Sequence, residues 1–437
     1  MRRLHRILLP LALFATLAGC GSYWGDPGPP PLPGERRPVL LLEEGLVPDA
    51  RVAGLTVSIP PAVRNPDWPQ AGAVPAHALG HLELGANLRL AWQQGVGAGS
   101  GTRTRLLAAP VVAGGRIYVV DSAGAVSALA TSDGRRLWQV RPEDRETADR
   151  LAGGTLAAND DLVVVNFAHG DVVALAAADG ATRWRTRVAS PLRSGPSLAN
   201  GLVLVATADN QLLALAEATG EVLWRHAGSF EPAGLLGDAS PAVDRGIVVV
   251  TYSSGEVFAL ELSSGRPLWS DVVLRPRRTI ALGSVTDIVG DPVIVGDRVV
   301  VAGNSGEMAA FDLVRGARLW DQQLSTRQTP WAAGDFVFVV SDRGEVACLL
   351  LQGGRVRWAT TLDDGAVSDT RTQWLGPILA GGRLILVSSQ SELVEVSQFD
   401  GTILGRQAVR GSVQLPPVIA DGTLYLLTED ATLLAYR

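Results

Sequence analysis

Through most of the chain, short runs of β-branched and apolar residues alternate with small or polar ones, and glycine-bearing turns separate the runs. The first clear set is LLAAPVV, RIYVVD, AVSALAT and RRLWQV, broken at Gly114-Gly115, Ala123-Gly124 and Asp133-Gly134. Period-two alternation of this kind fits a pleated, half-buried surface. Asp-Gly supplies the positive φ of a tight hairpin. The pattern predicts four short strands per set. No helical segments alternate with them, which excludes TPR- or HEAT-like solenoids.

The set recurs. Gly124 to Trp138 reads G-x-V-x-A-L-x-x-x-x-G-x-x-x-W, and related copies start at Gly170, Asn210, Gly255, Gly306 and Gly344 and end at Trp184, Trp224, Trp269, Trp320 and Trp358. The fifth position is Ala, or Cys348 in one copy; the sixth is Leu, or Phe311. Pro110, Pro196, Pro241, Pro292 and Pro330 stand fourteen residues ahead of a copy. Two weaker copies follow: Ser391 to Gly405 keeps Pro377 and Gly401 but has no Trp, and Pro417 leads to Ala431, Ala435 and Tyr436. A spacing of 38 to 51 residues between successive Trp positions, with four strands per unit, predicts the blade of a β-propeller.

The last unit lacks a fourth strand, and Asn87 to Gln94, with Trp92, is a fourth strand without a unit. The expected fold is therefore all-β, an eight-bladed β-propeller of four-stranded antiparallel blades, its last blade closed by an N-terminal strand. Such a joint leaves no free sheet edge. The repeated Trp reads as a wedge against the neighbouring blade, since an indole buries roughly 150–250 Å².

Ahead of the repeats, Arg2, Arg3 and Arg6 precede an apolar stretch of eleven residues, Ile7 to Leu17, too short to span a bilayer. It ends in Leu17-Ala18-Gly19-Cys20, which resembles a bacterial lipobox with Cys20 as the acylated first mature residue. Two or three acyl chains anchor firmly, at roughly 0.8 kcal/mol per buried CH₂. With Gly21 rather than Asp after Cys20, the resemblance implies export to the outer membrane. The expected organisation is a signal peptide over 1–19, a proline-rich extended tether over 20–40, a non-repeat strap over 41–86 and the propeller over 87–437. Trp68, His77 and His81 read as parts of that strap lying on the propeller. The two His are four apart with no third ligand in view, so no metal site is assigned. Gly95 to Gly101 is glycine-rich, but no helix follows it to present an N-terminus to a phosphate.

Formal net charge is −6, and removal of the three leader Arg makes it about −9, which disfavours nucleic acid as a partner. Only Cys20 and Cys348 are present, and Cys348 in the Ala slot reads as a small buried hydrophobe. No His-Glu-x-x-His, Cys-x-x-Cys, Gly-x-Ser-x-Gly or Walker loop occurs. His169 reads as a solvent-exposed turn residue, and Asp133 and Asp179 as hairpin carboxylates. The expectation is a protein without catalytic residues, cofactor or metal.

The Ala-Leu-x-x-x-x-Gly-x-x-x-Trp repeat is similar to that of pyrroloquinoline quinone dehydrogenase propellers, which bind quinone and calcium at the axis. The adjacent Cys pair many of them carry is absent here. Lipobox, tether and one propeller together resemble the BamB family, lipoproteins of the machinery that folds β-barrels into the bacterial outer membrane. That resemblance implies a non-catalytic scaffold on the periplasmic face of the outer membrane, held by its lipid. It implies docking on the POTRA domains of the barrel-forming subunit BamA, association with the other subunits, and guidance of unfolded outer-membrane proteins by β-augmentation. The family docks through loops of two neighbouring blades. One family stretch, Leu-x-Leu-Arg-Gly-Glu-Ser-Ala-Pro, corresponds to Ala233 to Pro241, with Leu235 matching and Leu236 at the Arg position. The other, Asp-Val-Asp-Thr-Thr-Pro, corresponds to Asp287 to Pro292, with Asp287 matching and Val289 at the second Asp. Leu235, Leu236 and Asp287 are therefore the expected docking residues, with Arg275, Arg277 and Arg278 in the same long interval. The alternatives are a quinoprotein-type enzyme and a periplasmic protein- or ligand-binding propeller outside the assembly machine.

Overall fold

In the computed structural model the first repeat folds into Val111–Ala113, Arg116–Val120, Val126–Ala130 and Arg136–Val140, hydrogen-bonded in chain order. The structure describes residues 45–102, 104–142, 153–192, 194–230, 239–273, 288, 290–304, 306–363 and 372–437. These form eight four-stranded antiparallel sheets. Blade 1 is followed by blades 2 to 7 over residues 154–187, 197–227, 242–272, 293–323, 331–361 and 374–408. Blade 8 combines residues 418–436 with Leu90–Gly95 as its outermost strand. The expected joint is present: Trp92 pairs with Ala435 and Gly95 with Thr432, and Arg89 and Arg437 exchange backbone hydrogen bonds of 2.8 and 2.9 Å. It closes the sheet but not every edge, since the outermost strand of each blade still turns one side outward.

The repeated Trp is the wedge. Trp138 packs on Gly180, Trp184 on Gly220, Trp224 on Gly265, Trp269 on Gly316, Trp320 on Gly354, Trp358 on Gly401 and Trp92 on Gly134, each time one blade onward. This chain of contacts passes from blade 8 back to blade 1, so the sheets close in a circle. A Cβ on any of these glycines would lie 2.4–2.9 Å from a neighbouring atom, mostly of the indole, and their φ values are 65–78°. The eleventh position must therefore be Gly for the hairpin and for the wedge alike. In six seams the indole N–H donates to a carbonyl of the next blade at 2.7–3.2 Å. Cys348 is buried and unpaired, as its place in the Ala slot requires, and burial pushes its thiol up to about 12.

The seam from blade 7 to blade 8 is built differently. Its fifteenth position is Gly405 and its fifth is Glu395, and the two are cross-strand partners. Where the other blades hold an indole over a small residue, Glu395 reaches inward to Arg383 at 2.7 Å. Arg383 is buried and also donates to the carbonyls of Gly85 and Ala86.

Antiparallel order places the first and third hairpins of every blade on one face, the hairpin face. The turns between second and third strands, and the connections to the next blade, lie on the other, the connection face. The segment ahead of the first repeat does more than lie on the surface as a strap. From Asn65 to Leu82 it makes one circuit of the axis, touching the innermost strands in order. Asn65 O accepts from Asp421 N in blade 8; Trp68 exchanges backbone bonds with Val112 in blade 1; Pro69 O accepts from Ala158 N in blade 2. Gln70 Oε1 accepts from Leu198 N in blade 3, Pro75 O from Val243 N in blade 4 and Ala76 O from Ile294 N in blade 5. Gly80 O accepts from Trp331 Nε1 in blade 6, and Leu82 pairs with Leu379 and Gly381 in blade 7. The circuit then closes on itself, because Val63 bridges Leu82. The innermost strands thus find partners for amides that would otherwise face the axis bare. Trp68 stacks on Trp331 with ring centroids 6.3 Å apart, and Trp68, Ala73 and Leu82 are buried.

Candidate functional site

The connection face carries the loops that sequence marks as docking elements. Leu235, Leu236 and Asp287 lie outside the described residues, as do Cys20, Arg275, Arg277 and Arg278. What the structure describes is the shoulders of the two loops, and these are rigidly held. Ala239 and Ser240 are buried at the end of the first loop; Val273 and Ile288 are buried on the second and join the core between blades 4 and 5. Pro241 and Pro292 stand directly before the innermost strands of blades 4 and 5, so the loops occupy equivalent places on neighbouring blades.

The two loop ends are tied to each other. Ser240 N–H donates to Asp291 Oδ1 at 2.7 Å. Thr329, entering blade 6, accepts from Asp291 N and donates to Asp291 Oδ2, at 3.1 and 3.2 Å. Below them, Ser197 Oγ donates to Pro241 O, and His77 Nδ1 lies 2.8 Å from Pro292 O, linking the loop to the inner circuit.

The start of the first loop is pinned as firmly. Asn210 holds the left-handed φ of 58° that its turn needs, a conformation Asn tolerates better than most residues. Its Nδ2 donates to Ser229 O, and its Oδ1 accepts from Ser253. Glu256 accepts from Ser229 N, Ser229 Oγ and Ser254 Oγ at 2.7–2.9 Å. Burial alone would raise the Glu256 carboxyl, but these donors outweigh it and hold it below its ordinary range. Beside it, His226 Nδ1 meets the buried Tyr252 hydroxyl at 2.8 Å, and the two rings stack. Burial drives the His226 pKa down against the pull of Glu256, and drives the Tyr252 hydroxyl up. Immediately after this cluster, Phe230 is 72 % exposed. Sequence reasoning passed over it. Its one available signal was an aromatic residue outside the strand pattern, leading into the loop of Leu235 and Leu236.

Other singled-out residues prove structural. His81 Nδ1 lies 2.9 Å from Pro60 O, and its Nε2 accepts from Gly382 N. Together with the bond from His77 to Pro292, this makes both strap histidines backbone clasps. His169 is not a solvent-exposed turn residue: its side chain is 5 % exposed, stacks on Phe167 and lies 3.2 Å from Asp171. It stands beside a turn, but the turn packs inward. Asp171 also binds Arg185 and Arg187, and although burial raises its pKa, Arg187 and His169 bring it below the ordinary value. Asp133 and Asp179 accept backbone N–H groups two residues onward, as hairpin carboxylates do.

The inner circuit fills the mouth of the axis on the hairpin face, and among the described residues no three His, Cys, Asp or Glu side chains converge as metal ligands. What the geometry offers is a firm platform at the bases of the two loops, with exposed Phe230 at one of them, which suits protein docking.

Comparison with known proteins agrees in fold and in family. The family model described as outer membrane protein assembly factor BamB matches residues 87–191, 143–360 and 366–437, beginning just after the inner circuit. The outer membrane protein assembly factor BamB of Xanthomonas campestris is 30 % identical over 355 residues, covering 79 % of this chain and 85 % of that protein. Its counterpart in Burkholderia pseudomallei is 27 % identical over 351 residues, covering 79 % and 87 %. Among solved structures, BamB of Moraxella catarrhalis superposes with a TM-score of 0.68 at 20 % identity, over 80 % of this chain and all of that one. Quinohemoprotein alcohol dehydrogenase of Comamonas testosteroni gives 0.65 at 15 % identity, over 86 % and 81 %, a likeness of fold alone. The chain belongs to the BamB family of outer membrane protein assembly factors.

Proposed function

We propose that this protein is a non-catalytic scaffold of outer-membrane β-barrel assembly, anchored through acylated Cys20 on the periplasmic face. It holds the POTRA domains of a BamA-like subunit through the connection face, using Leu235, Leu236 and Asp287 together with Phe230. The observation that carries this reading is the tie between Ser240 and Asp291, which fixes the ends of the two candidate loops to one another on neighbouring blades of a BamB-family propeller. An exposed apolar side chain such as Phe230 is the kind of anchor that dominates interface energy. The test is affinity capture of the tagged, lipidated chain from detergent-solubilised outer membrane. Recovery of a large POTRA-bearing barrel protein supports the reading, and its absence favours a propeller outside the assembly machine.

The outward edges of the blades favour a second, weaker activity, the guidance of unfolded barrel precursors. Leu137, Leu223, Leu268, Leu319 and Leu404 are exposed on outermost strands, where an incoming strand pairs by β-augmentation. Crosslinking from these strands that never captures a precursor removes this part.

A further inference from the structure

Seven seams of the propeller hold an indole between the outermost strand of one blade and the third hairpin of the next; the seam from blade 7 to blade 8 holds none. Gly405 stands at the Trp position, and the chain at Ala86–Arg89 stands where other blades carry that hairpin, since Arg89 pairs with Arg437 at the end of the third strand. Between them is an open slot of about 280 Å³, lined by Asn87, Arg89, Leu393, Glu395, Gly405 and Gln407 among others. Glu395 and Gly405 are cross-strand partners in the places that Ala128 and Trp138 hold in blade 1. An apolar cavity of about 150 Å³ accepts a benzene ring, so the slot has room for a bicyclic one.

The walls select the kind of ring. Glu395 Oε1 is held by Arg383, and Oε2 lies 3.6 Å from where a Cβ on Gly405 would be, on the wall of the slot. A carboxylate oxygen there accepts an N–H, as backbone carbonyls do from the indoles of the other seams. Arg89 is exposed at the rim, where a guanidinium can cover an aromatic face. We propose that this slot binds a donor-bearing aromatic side chain, tryptophan first, presented by a partner protein. The partner supplies in trans the wedge that blade 7 lacks. This surface is separate from the two docking loops and does not depend on them.

The probe is the N-acetyl amide of 5-fluorotryptophan, titrated into the full-length mature protein and followed by fluorine NMR. The expected result is saturable line broadening that indole competes away and N-acetyl-leucinamide does not. Gly405→Trp fills the slot from within and abolishes the broadening. The backbone there accepts a Cβ, which would meet only Glu395 Oε2 at ordinary contact distance. Should Gly405→Trp fail to fold, Gly405→Leu blocks the same space. Arg89→Ala, at the exposed rim, weakens binding several-fold. Absence of saturable broadening, equal competition by N-acetyl-leucinamide, or binding undiminished by a folded slot-filling variant overturns the proposal.

Discussion

Ser240 and Asp291, fifty-one residues apart, meet through a 2.7 Å hydrogen bond from the Ser240 backbone N–H to the Asp291 carboxylate. The bond joins the entrances to blades 4 and 5, and Asp291 passes the link on to Thr329 at blade 6. Asp291→Ala leaves a buried N–H without an acceptor, which costs about 1–3 kcal/mol. Denaturant unfolding should show that loss, and capture of the barrel subunit should weaken with it. Asp291→Asn keeps an acceptor oxygen and should lose less of both.

The loop side chains themselves should behave differently. Leu235→Arg, Asp287→Lys and Phe230→Asp are expected to reduce recovery of the barrel subunit without lowering Tm, since Phe230 is exposed and the other two are read as interface residues. Unchanged recovery from all three moves the docking site elsewhere on the propeller.

The inner circuit should matter to the whole fold. Trp68 is buried against Trp331 and its backbone pairs with Val112, so Trp68→Ala should destabilise by about 3–5 kcal/mol. Leu223→Ala, at an exposed position on an outermost strand, should change stability by about 0.5 kcal/mol or less. Equal effects of the two in denaturant unfolding would mean the circuit is only loosely attached.

A pH effect is expected from His226. The fold favours its neutral form, so its folded pKa lies below the unfolded value of about 6.5. Its contribution is complete above that value and is lost as pH falls through the folded pKa. Between about pH 7 and pH 5, the urea midpoint of the wild type should fall further than that of His226→Gln, which keeps a polar partner for Tyr252 but does not titrate. Parallel falls would remove His226 as the cause.

Much of this architecture is legible in the residues because it is repeated. Trp138, Gly180 and their equivalents appear at fixed spacing since each seam solves one packing problem the same way. The union of Trp92 with Ala435 follows from counting strands. The inner circuit leaves no such trace: its contacts are mainly backbone carbonyls, such as those of Pro69, Pro75 and Ala76, which carry no side-chain signature. The missing Trp at Gly405 is visible in the repeat, but the Arg383–Glu395 ion pair beside it is a pairing across strands that periodicity does not announce. His169 is hidden for a related reason, because only packing on Phe167 shows that its turn faces inward. Of the candidate site, Leu235, Leu236 and Asp287 are proposed from the family resemblance, while the tie between Ser240 and Asp291 and the exposure of Phe230 emerge only from the fold.

The most direct measurement is site-specific photo-crosslinking in intact cells, with the photoreactive residue placed at position 235 or at position 314. Val314 is exposed in the third hairpin of blade 5, on the opposite face. The account predicts an adduct with the large POTRA-bearing barrel subunit from position 235 and none from position 314. An adduct from 314 and none from 235 would contradict it.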